Sequence, residues 1–321
     1  MTAKGKFLIV ADPVDRLKPK GDSSLVLVRE MLRRGHRVFW ALDSGIEYAG
    51  HVSAWAFPVE SCERDELPVL GRPDWQELSS MEAVLIRRDP PFDASYVRLC
   101  WLLALAESKT WMFNRPSLLL RYHEKLVPLE AHAQGFLHDE DIISTHMGTL
   151  DRAKDFARAG KFHEVITKPF LGFAGGGVEK MSAADFMASS RSADTDEALV
   201  QPFVGEVVKE GDRRVFFLGG ELLAQFTRMP KSGGFISNLA QGGTALSAPL
   251  STAQKAVLGR LGEFLKSSGI ELAGADLIGN RISEVNITSP TGLRSLEALE
   301  GNDYAGKIVD YMEKRAQAWQ S

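Results

Sequence analysis

Cysteine is scarce in this chain: Cys62 and Cys100 are the only two in 321 residues. That is too few for a disulfide framework or a four-cysteine zinc site, and it suits a reducing compartment. Neither has a histidine beside it in metal-finger spacing, so buried packing explains both. Long hydrophobic runs are absent as well. The longest, Cys100 to Ala106, falls far short of the ~20 residues that a bilayer span needs. Met1 to Lys6 has two lysines but lacks the apolar region and small-residue cleavage site of a signal peptide. The expected setting is the cytoplasm, with no membrane partner. A basic excess is missing too: 38 Lys and Arg against 42 Asp and Glu leave a net charge of −4, which argues against nucleic acid as a partner. No G-x-G-x-x-G follows the first apolar strand, no Gly-x-Ser-x-Gly elbow occurs, and the seven histidines show no metal-ligand spacing. A nicotinamide dehydrogenase and a side-chain nucleophile enzyme are both disfavoured.

What is present is an ordinary globular composition, 44% hydrophobic and 25% charged, long enough for about two domains at ~150 residues each. The first ~120 residues alternate strand and helix in the manner of an open α/β layer. Phe7 to Ala11 is a continuous apolar run, as in a strand buried on both faces. Asp22 offers an N-cap, Leu25, Val28 and Leu32 recur at helical spacing, and Gly35 closes the helix. Arg37 to Ala41, Ala83 to Ile86 and Trp111 to Phe113 read as further strands, with a helix through Cys100. From Arg121 the texture changes. A helix is predicted around Glu124-Lys125-Leu126, and strands at Val165 to Lys168 and Leu199 to Gln201. Next come a hairpin across Gly219-Gly220, a polar loop from Met229 to Gly243 and a helix near Thr252 to Lys266. A second hairpin from Ala273 to Ile287 and a terminal helix from Asp303 to Trp319 complete the chain.

Three clusters could carry chemistry. Lys168 leaves a buried strand just before Gly172 and Gly175-Gly176-Gly177, where an ammonium and unobstructed backbone N–H groups can meet a phosphate. The lysine precedes the glycines, so this is not a Walker loop; a flexible turn explains it equally. Asp276, Glu284 and Asn286 lie on the second hairpin and would make a hard-oxygen site for Mg²⁺, or merely a solvated strand face. Glu284 and Asn286, two apart, share a face. Asp276 joins them if the connection is odd in length, such as Gly279-Asn280-Arg281, which is the expectation. A two-residue Gly279-Asn280 turn would send it to the opposite face. Arg213, Arg214 and Arg228, with Arg87 further upstream, supply guanidinium forks for carboxylate or phosphate, unless they simply face solvent.

Longer segments join these clusters: Asp12-Pro13, Arg87-Arg88-Asp89-Pro90-Pro91-Phe92-Asp93, Phe113-Asn114-Arg115-Pro116 and His123-Glu124-Lys125-Leu126. Further on stand Lys168-Pro169, Gly211 to Val215, Arg228-Met229-Pro230, Asn238 to Gly243, Asp276 to Gly279 and Glu284 to Thr291. Their order and spacing, over essentially the whole chain, resemble an ATP-grasp ligase, most closely the bacterial glutathione synthetase family. The resemblance implies an α/β and α+β molecule, an ATP-grasp fold with an N-terminal Rossmann-like (pre-ATP-grasp) domain. Three modules are expected: a substrate-binding layer at 1–120, a lid domain at 121–200 and a catalytic domain at 201–321.

It also implies roles. Lys125 and Lys168, with Gly175 and Gly176, would contact the ATP phosphates; Gln201, Phe203 and Val204 would line the adenine pocket, and Asp212 would sit near the ribose. Asp276, Glu284 and Asn286 would hold two Mg²⁺ ions, with Mn²⁺ as a substitute. Arg87, Asp89, Asn286, Ser289 and Thr291 would bind the dipeptide substrate, and Arg214 and Arg228 would flank the reacting phosphoryl and acyl groups as catalytic residues. The activity implied is ligation of γ-glutamylcysteine to glycine through an acyl phosphate, by a homo-oligomer, with the loop Met229 to Gly243 closing over the site. The sequence departs from the family at Leu171 and Ala174 in the glycine segment, at Gly205, and at Ile236 where an arginine is common. Two alternatives therefore stand beside the first reading: a paralogue with another acceptor or donor, and a nucleotide-binding protein with little turnover.

Overall fold

Phe7 and Ile9 point to one side of the strand Lys6–Val10, Leu8 and Val10 to the other, and all four are fully buried. Such a strand must lie inside a sheet covered on both faces. The computed structural model, which describes residues 5–172, 175–189 and 198–320, has that arrangement. Lys6–Val10 pairs in parallel with Arg37–Tyr48 on one side and Ala83–Ile86 on the other, and Trp111–Phe113 follows Ala83–Ile86 in parallel. The second strand runs on from the expected Ala41 to Tyr48 and meets Val52–Ser61 in antiparallel fashion, which in turn carries Val69–Leu70 and Asp74–Glu77. These added strands complete a seven-stranded sheet.

Helix Ser23–Arg33, capped by Asp22, whose Oδ1 accepts from the Ser24 and Leu25 N–H groups at 2.6 and 3.1 Å, covers one face. Helix Ala94–Ala104 packs into the core on the other. The terminal helix Tyr304–Gln320 also returns to this sheet, held by Arg34 to Asp310 at 2.6 Å and His36 to Glu313 at 2.7 Å.

A four-stranded antiparallel sheet follows, in the order Glu179–Ser182, Glu164–Pro169, Ala198–Pro202, His146–Gly148. Helices Leu150–Ala159 and Ala183–Ala188 close a small core of Val165, Val200, Phe186, Ala153 and Ala157 against it. The last sheet has five antiparallel strands, in the order Thr244–Leu246, Glu221–Met229, Asp212–Leu218, Leu272–Ile278, Arg281–Asn286. Behind it lies helix Thr252–Ser268, begun by a Ser251–Gln254 capping box and ended by Gly269 in the left-handed conformation. Val215 and Phe217 join one core with Leu8 and Val10, while Phe216 and Phe226 join the other with Phe7 and Ile9. The first and third sheets therefore share their cores, and the second keeps its own.

One expectation needs correction here, and another lies out of reach. Glu124 to Leu126 form a turn, and the helix begins at Val127 and runs to Ala133. Pro128 explains the shift, because proline fits a helix only in its first turn. In the glycine segment, Phe173 and Ala174 lie outside the described residues, and with them the departure at Ala174. Among the described residues no helix is long and apolar enough to cross a membrane.

Asn114, 3% exposed, locks the first sheet to the third. Its Nδ2 donates to Leu272 O and Ile287 O at 2.6 and 2.8 Å, and its Oδ1 accepts from Glu271 N and Leu272 N at 2.8 and 2.9 Å. All of its side-chain hydrogen-bonding capacity is used away from water. Asn114→Ala strands four backbone groups, so denaturant unfolding is expected to show a loss of about 3 kcal/mol or more.

Candidate active site

The hairpin Leu272–Ile278/Arg281–Asn286 turns on two residues, Gly279 and Asn280, not on the expected odd-length connection. Asp276 nevertheless stands directly opposite Glu284. The register passes from Leu277↔Ile282 to Asp276↔Glu284, so Ser283 is an extra residue in a β-bulge. The odd residue is in the strand, not in the turn, and Gly274↔Asn286 continues the pairing. Asp276, Glu284 and Asn286 thereby face one cavity of about 220 Å³.

Elements of all three sheets close around that cavity. Lys125, Lys168, Gly175, Gly176, Gln201, Phe203, Val204, Asp212, Arg214 and Arg228 line it, as do Asp89, Ser289 and Thr291. Asp89 Oδ1 accepts from Ser289 Oγ at 2.6 Å, joining the Asp-Pro-Pro segment to the Ser-Pro-Thr segment in one wall. Arg87 does not line the cavity. It is 4% exposed behind that wall, donating through Nε to Ser24 Oγ and through Nη2 to Pro290 O, and its Nη1 has no hydrogen-bond partner. Burial lowers its pKa, against the pull of Asp22 and Asp89. Glu124, Ser283 and Ser237 also line the cavity and were not singled out in the sequence. Glu124 has a signal, its place beside Lys125; Ser283 has none, because only pairing between strands makes it a bulge residue. Its hydroxyl accepts from Lys168 Nζ at 3.2 Å. Ser237 Oγ is buried without a partner.

Charge in the cavity is tightly organised. Arg214 forks onto Asp276 at 2.6 and 2.9 Å, and Arg228 forks onto Asp212 at 2.6 and 2.8 Å while reaching Asp276 at 2.8 Å. Burial would raise the Asp276 pKa, but Arg214 and Arg228 outweigh it and hold the carboxyl down to about 2. Burial lifts Asp212 to about 6, helped by the Asp276 charge and opposed by Arg228. Glu284 is raised by burial first and by Glu124 second, with Lys168 and Lys125 pulling the other way.

Two carboxylates and an amide oxygen on one strand-pair face suit Mg²⁺, a hard cation with oxygen ligands. No group of three His, Cys, Asp or Glu is assembled as a metal cage among the described residues. Asn286 Oδ1 accepts from Thr288 N at 3.0 Å, which fixes its orientation.

The loop after Met229 lies across the cavity. The Phe235 ring meets Phe203 edge-on, centroids 6.1 Å apart. A Cβ on Gly175, whose φ is +79°, would come within 3.1 Å of Ile236 Cγ2 and 2.8 Å of Gln241 Nε2. Glycine is thus required there for its backbone angle and for the close approach of the loop. Ile236 lies against the Gly175 backbone in this arrangement.

Family models now decide the lineage. The N-terminal domain of prokaryotic glutathione synthetase matches residues 6–120, and the ATP-grasp domain of prokaryotic glutathione synthetase matches residues 136–301. The chain belongs to the prokaryotic glutathione synthetase family. It is an ATP-grasp ligase. Glutathione synthetase of Nitrosomonas europaea is 30% identical, covering 96% of this chain and 98% of the relative. Its counterpart from Prochlorococcus marinus subsp. pastoris is 31% identical, covering 95% and 98%. Among solved structures, D-cycloserine synthetase DcsG superposes with a TM-score of 0.69 at 17% identity, over 97% of this chain and all of that one. Macrocyclase MdnC from Microcystis aeruginosa MRC, bound with precursor peptide MdnA, gives 0.63 at 15%, over 96% and 99%. At those identities the structural likeness speaks for the ATP-grasp fold alone.

Two outcomes follow from this geometry. A depressed folded-state pKa stabilises above the unfolded value and is lost on acidification. Asp276 therefore contributes in full above pH 3.8, and its contribution disappears as the pH falls to about 2. In acid unfolding, Asp276→Asn is expected to flatten the limb between those values. For the loop, Ile236→Ala removes apolar contact worth about 1 kcal/mol and is expected to slow turnover at saturating ATP roughly fivefold. Ile236→Arg is expected not to exceed the parent rate; a gain in initial rate would mean that the position is a vacant charge slot.

Proposed function

We propose that the chain joins γ-glutamylcysteine to glycine at the expense of ATP, giving glutathione, ADP and phosphate. The observation that carries this reading is the meeting in one cavity of the lysine–glycine elements, the carboxylate face of the hairpin and the wall made by Asp89 and Ser289. Lys125 and Lys168 would hold the polyphosphate beside Gly175 and Gly176, and Gln201, Phe203 and Val204 would receive the adenine. Asp212, bound to Arg228, would lie toward the ribose. Arg87 would support the wall formed by Asp89, Ser289 and Thr291 from behind, through its hydrogen bond to Pro290 O, and would not itself touch the substrate.

A carboxylate is a poor acyl donor, so its conversion to an acyl phosphate must precede attack by the glycine amine. Negative charge grows on the transferring phosphoryl oxygens and then on the tetrahedral carbon, and the forks of Arg214 and Arg228 are within the cavity to offset it. Asp276, Glu284 and Asn286 would hold two Mg²⁺ ions, or Mn²⁺ in their place, which supply Lewis-acid stabilisation of phosphoryl oxygens when bound. The packed loop with Phe235 and Ile236 keeps water from the acyl phosphate. No protein nucleophile is required. In this reading the three sheets fall in modules at 1–120, 121–200 and 201–321, except that the strand Ala198–Pro202 of the middle sheet runs two residues past the second bound, and the working form is a homo-oligomer in the cytoplasm.

ADP release with γ-glutamylcysteine and Mg²⁺ is expected to depend on glycine, and a panel of other amino acids in its place tests for a different acceptor. Glu284→Gln, which removes one anionic ligand at nearly constant volume, is expected to lower turnover about 100-fold or more with the fold intact by circular dichroism. Near-normal turnover in that variant removes Glu284 from the metal set.

A further inference from the structure

His123 does not line the cavity, yet it touches what does. Its imidazole lies nearly flat on Phe170, with centroids 4.2 Å apart and planes 25° from parallel. Its Nδ1 accepts the backbone N–H of Lys125 at 3.4 Å, and Phe92 meets the imidazole edge-on at 6.5 Å. Phe170 follows Pro169, the last residue of its strand, and stands at the root of the glycine segment. The turn that bears His123 is fixed to the third sheet, because Val285 N–H donates to Glu124 O at 2.9 Å. Lys125 Nζ in turn donates to Glu124 Oε1 at 2.9 Å and to Gly172 O. One partner of the ring stack thus belongs to the third sheet and the other to the second, whose cores are separate.

We propose that His123 is a positioning residue: by stacking on Phe170 it sets where Lys125 and the glycine segment stand relative to each other, and so how well both grip the nucleotide polyphosphate. This rests on the reading that Lys125, Lys168 and the glycine segment hold that polyphosphate. Burial, reinforced by the neighbouring Lys125 charge, pushes the His123 pKa down to about 4, so the ring is neutral at pH 7. The contact is a stack of neutral rings, and a phenyl ring can replace the imidazole within it.

The test uses the full chain, with MgADP affinity by calorimetry, and KM for ATP and kcat by ADP release. An aromatic pair lost at the stack corresponds to about a tenfold change in affinity. His123→Ala and Phe170→Ala are each expected to weaken MgADP and raise KM for ATP by that factor. Their kcat is expected to stay within about twofold of the parent. The double variant is expected to lose no more than either single one, since both remove one contact. His123→Phe is expected to restore the parent values. Unchanged nucleotide affinity in both alanine variants overturns the proposal, and so does a folded His123→Phe as impaired as His123→Ala. Lys168→Ala separates the two levels. If it binds MgADP as the parent does, the nucleotide reading itself fails; if it loses binding while His123→Ala does not, the positioning role alone fails.

Discussion

Asp276 is held from two sides by guanidinium groups, and the arrangement of the site depends on that grip. A carboxylate so deep in a sheet is costly unless positive charge lies against it. Arg214 approaches from the neighbouring strand, where it is the cross-strand partner of Asp276, and Arg228 comes from one strand further on, bringing Asp212 with it. Four charged residues on three adjacent strands thus neutralise one another without a ligand. Each also lines the cavity. Any anion that draws an arginine away must arrive with a cation to take its place beside Asp276.

The parts of this architecture that the sequence discloses are those built from short-range signals. The run Phe7 to Val10, the Asp22 cap, the Gly35 stop and the Gly219-Gly220 hairpin each follow from a few neighbouring residues. The strands Val52–Ser61 and Asp74–Glu77 have no comparable signature. They lie toward the sheet margin, where Trp55 and Trp75 face outward and apolar alternation no longer marks the buried side. Pro128 had the information to correct the helix start, since it cannot sit in a helix interior.

For the site, the segments carrying Lys125, Lys168, Asp276 and Glu284, far apart in the chain, meet in one cavity. What stayed hidden was register. Whether Asp276 and Glu284 look the same way depends on one unpaired residue, Ser283, whose status exists only once the two strands are joined. Arg87 shows the same limit at longer range: its neighbours Ser24 and Pro290 are 63 and 203 positions away, and no local pattern tells that it stands behind the cavity wall.

The small core of the middle sheet has a thermodynamic consequence. The first and third sheets are sewn together by shared clusters and by Asn114, so they must open as one large cooperative unit. Among the described residues, the middle sheet and its two helices enclose a cluster of only five buried side chains. Segments with so little buried apolar contact open at free energies well below that of global unfolding. A nucleotide bound against that sheet would serve as the remainder of its core. Its binding free energy, about 2.7 kcal/mol at a hundredfold excess over Kd, would be added to the cost of opening the middle sheet as well as to that of global unfolding. In the cell, the supply of nucleotide would then weigh most on the lifetime of the middle sheet against proteolysis, because that sheet opens most readily.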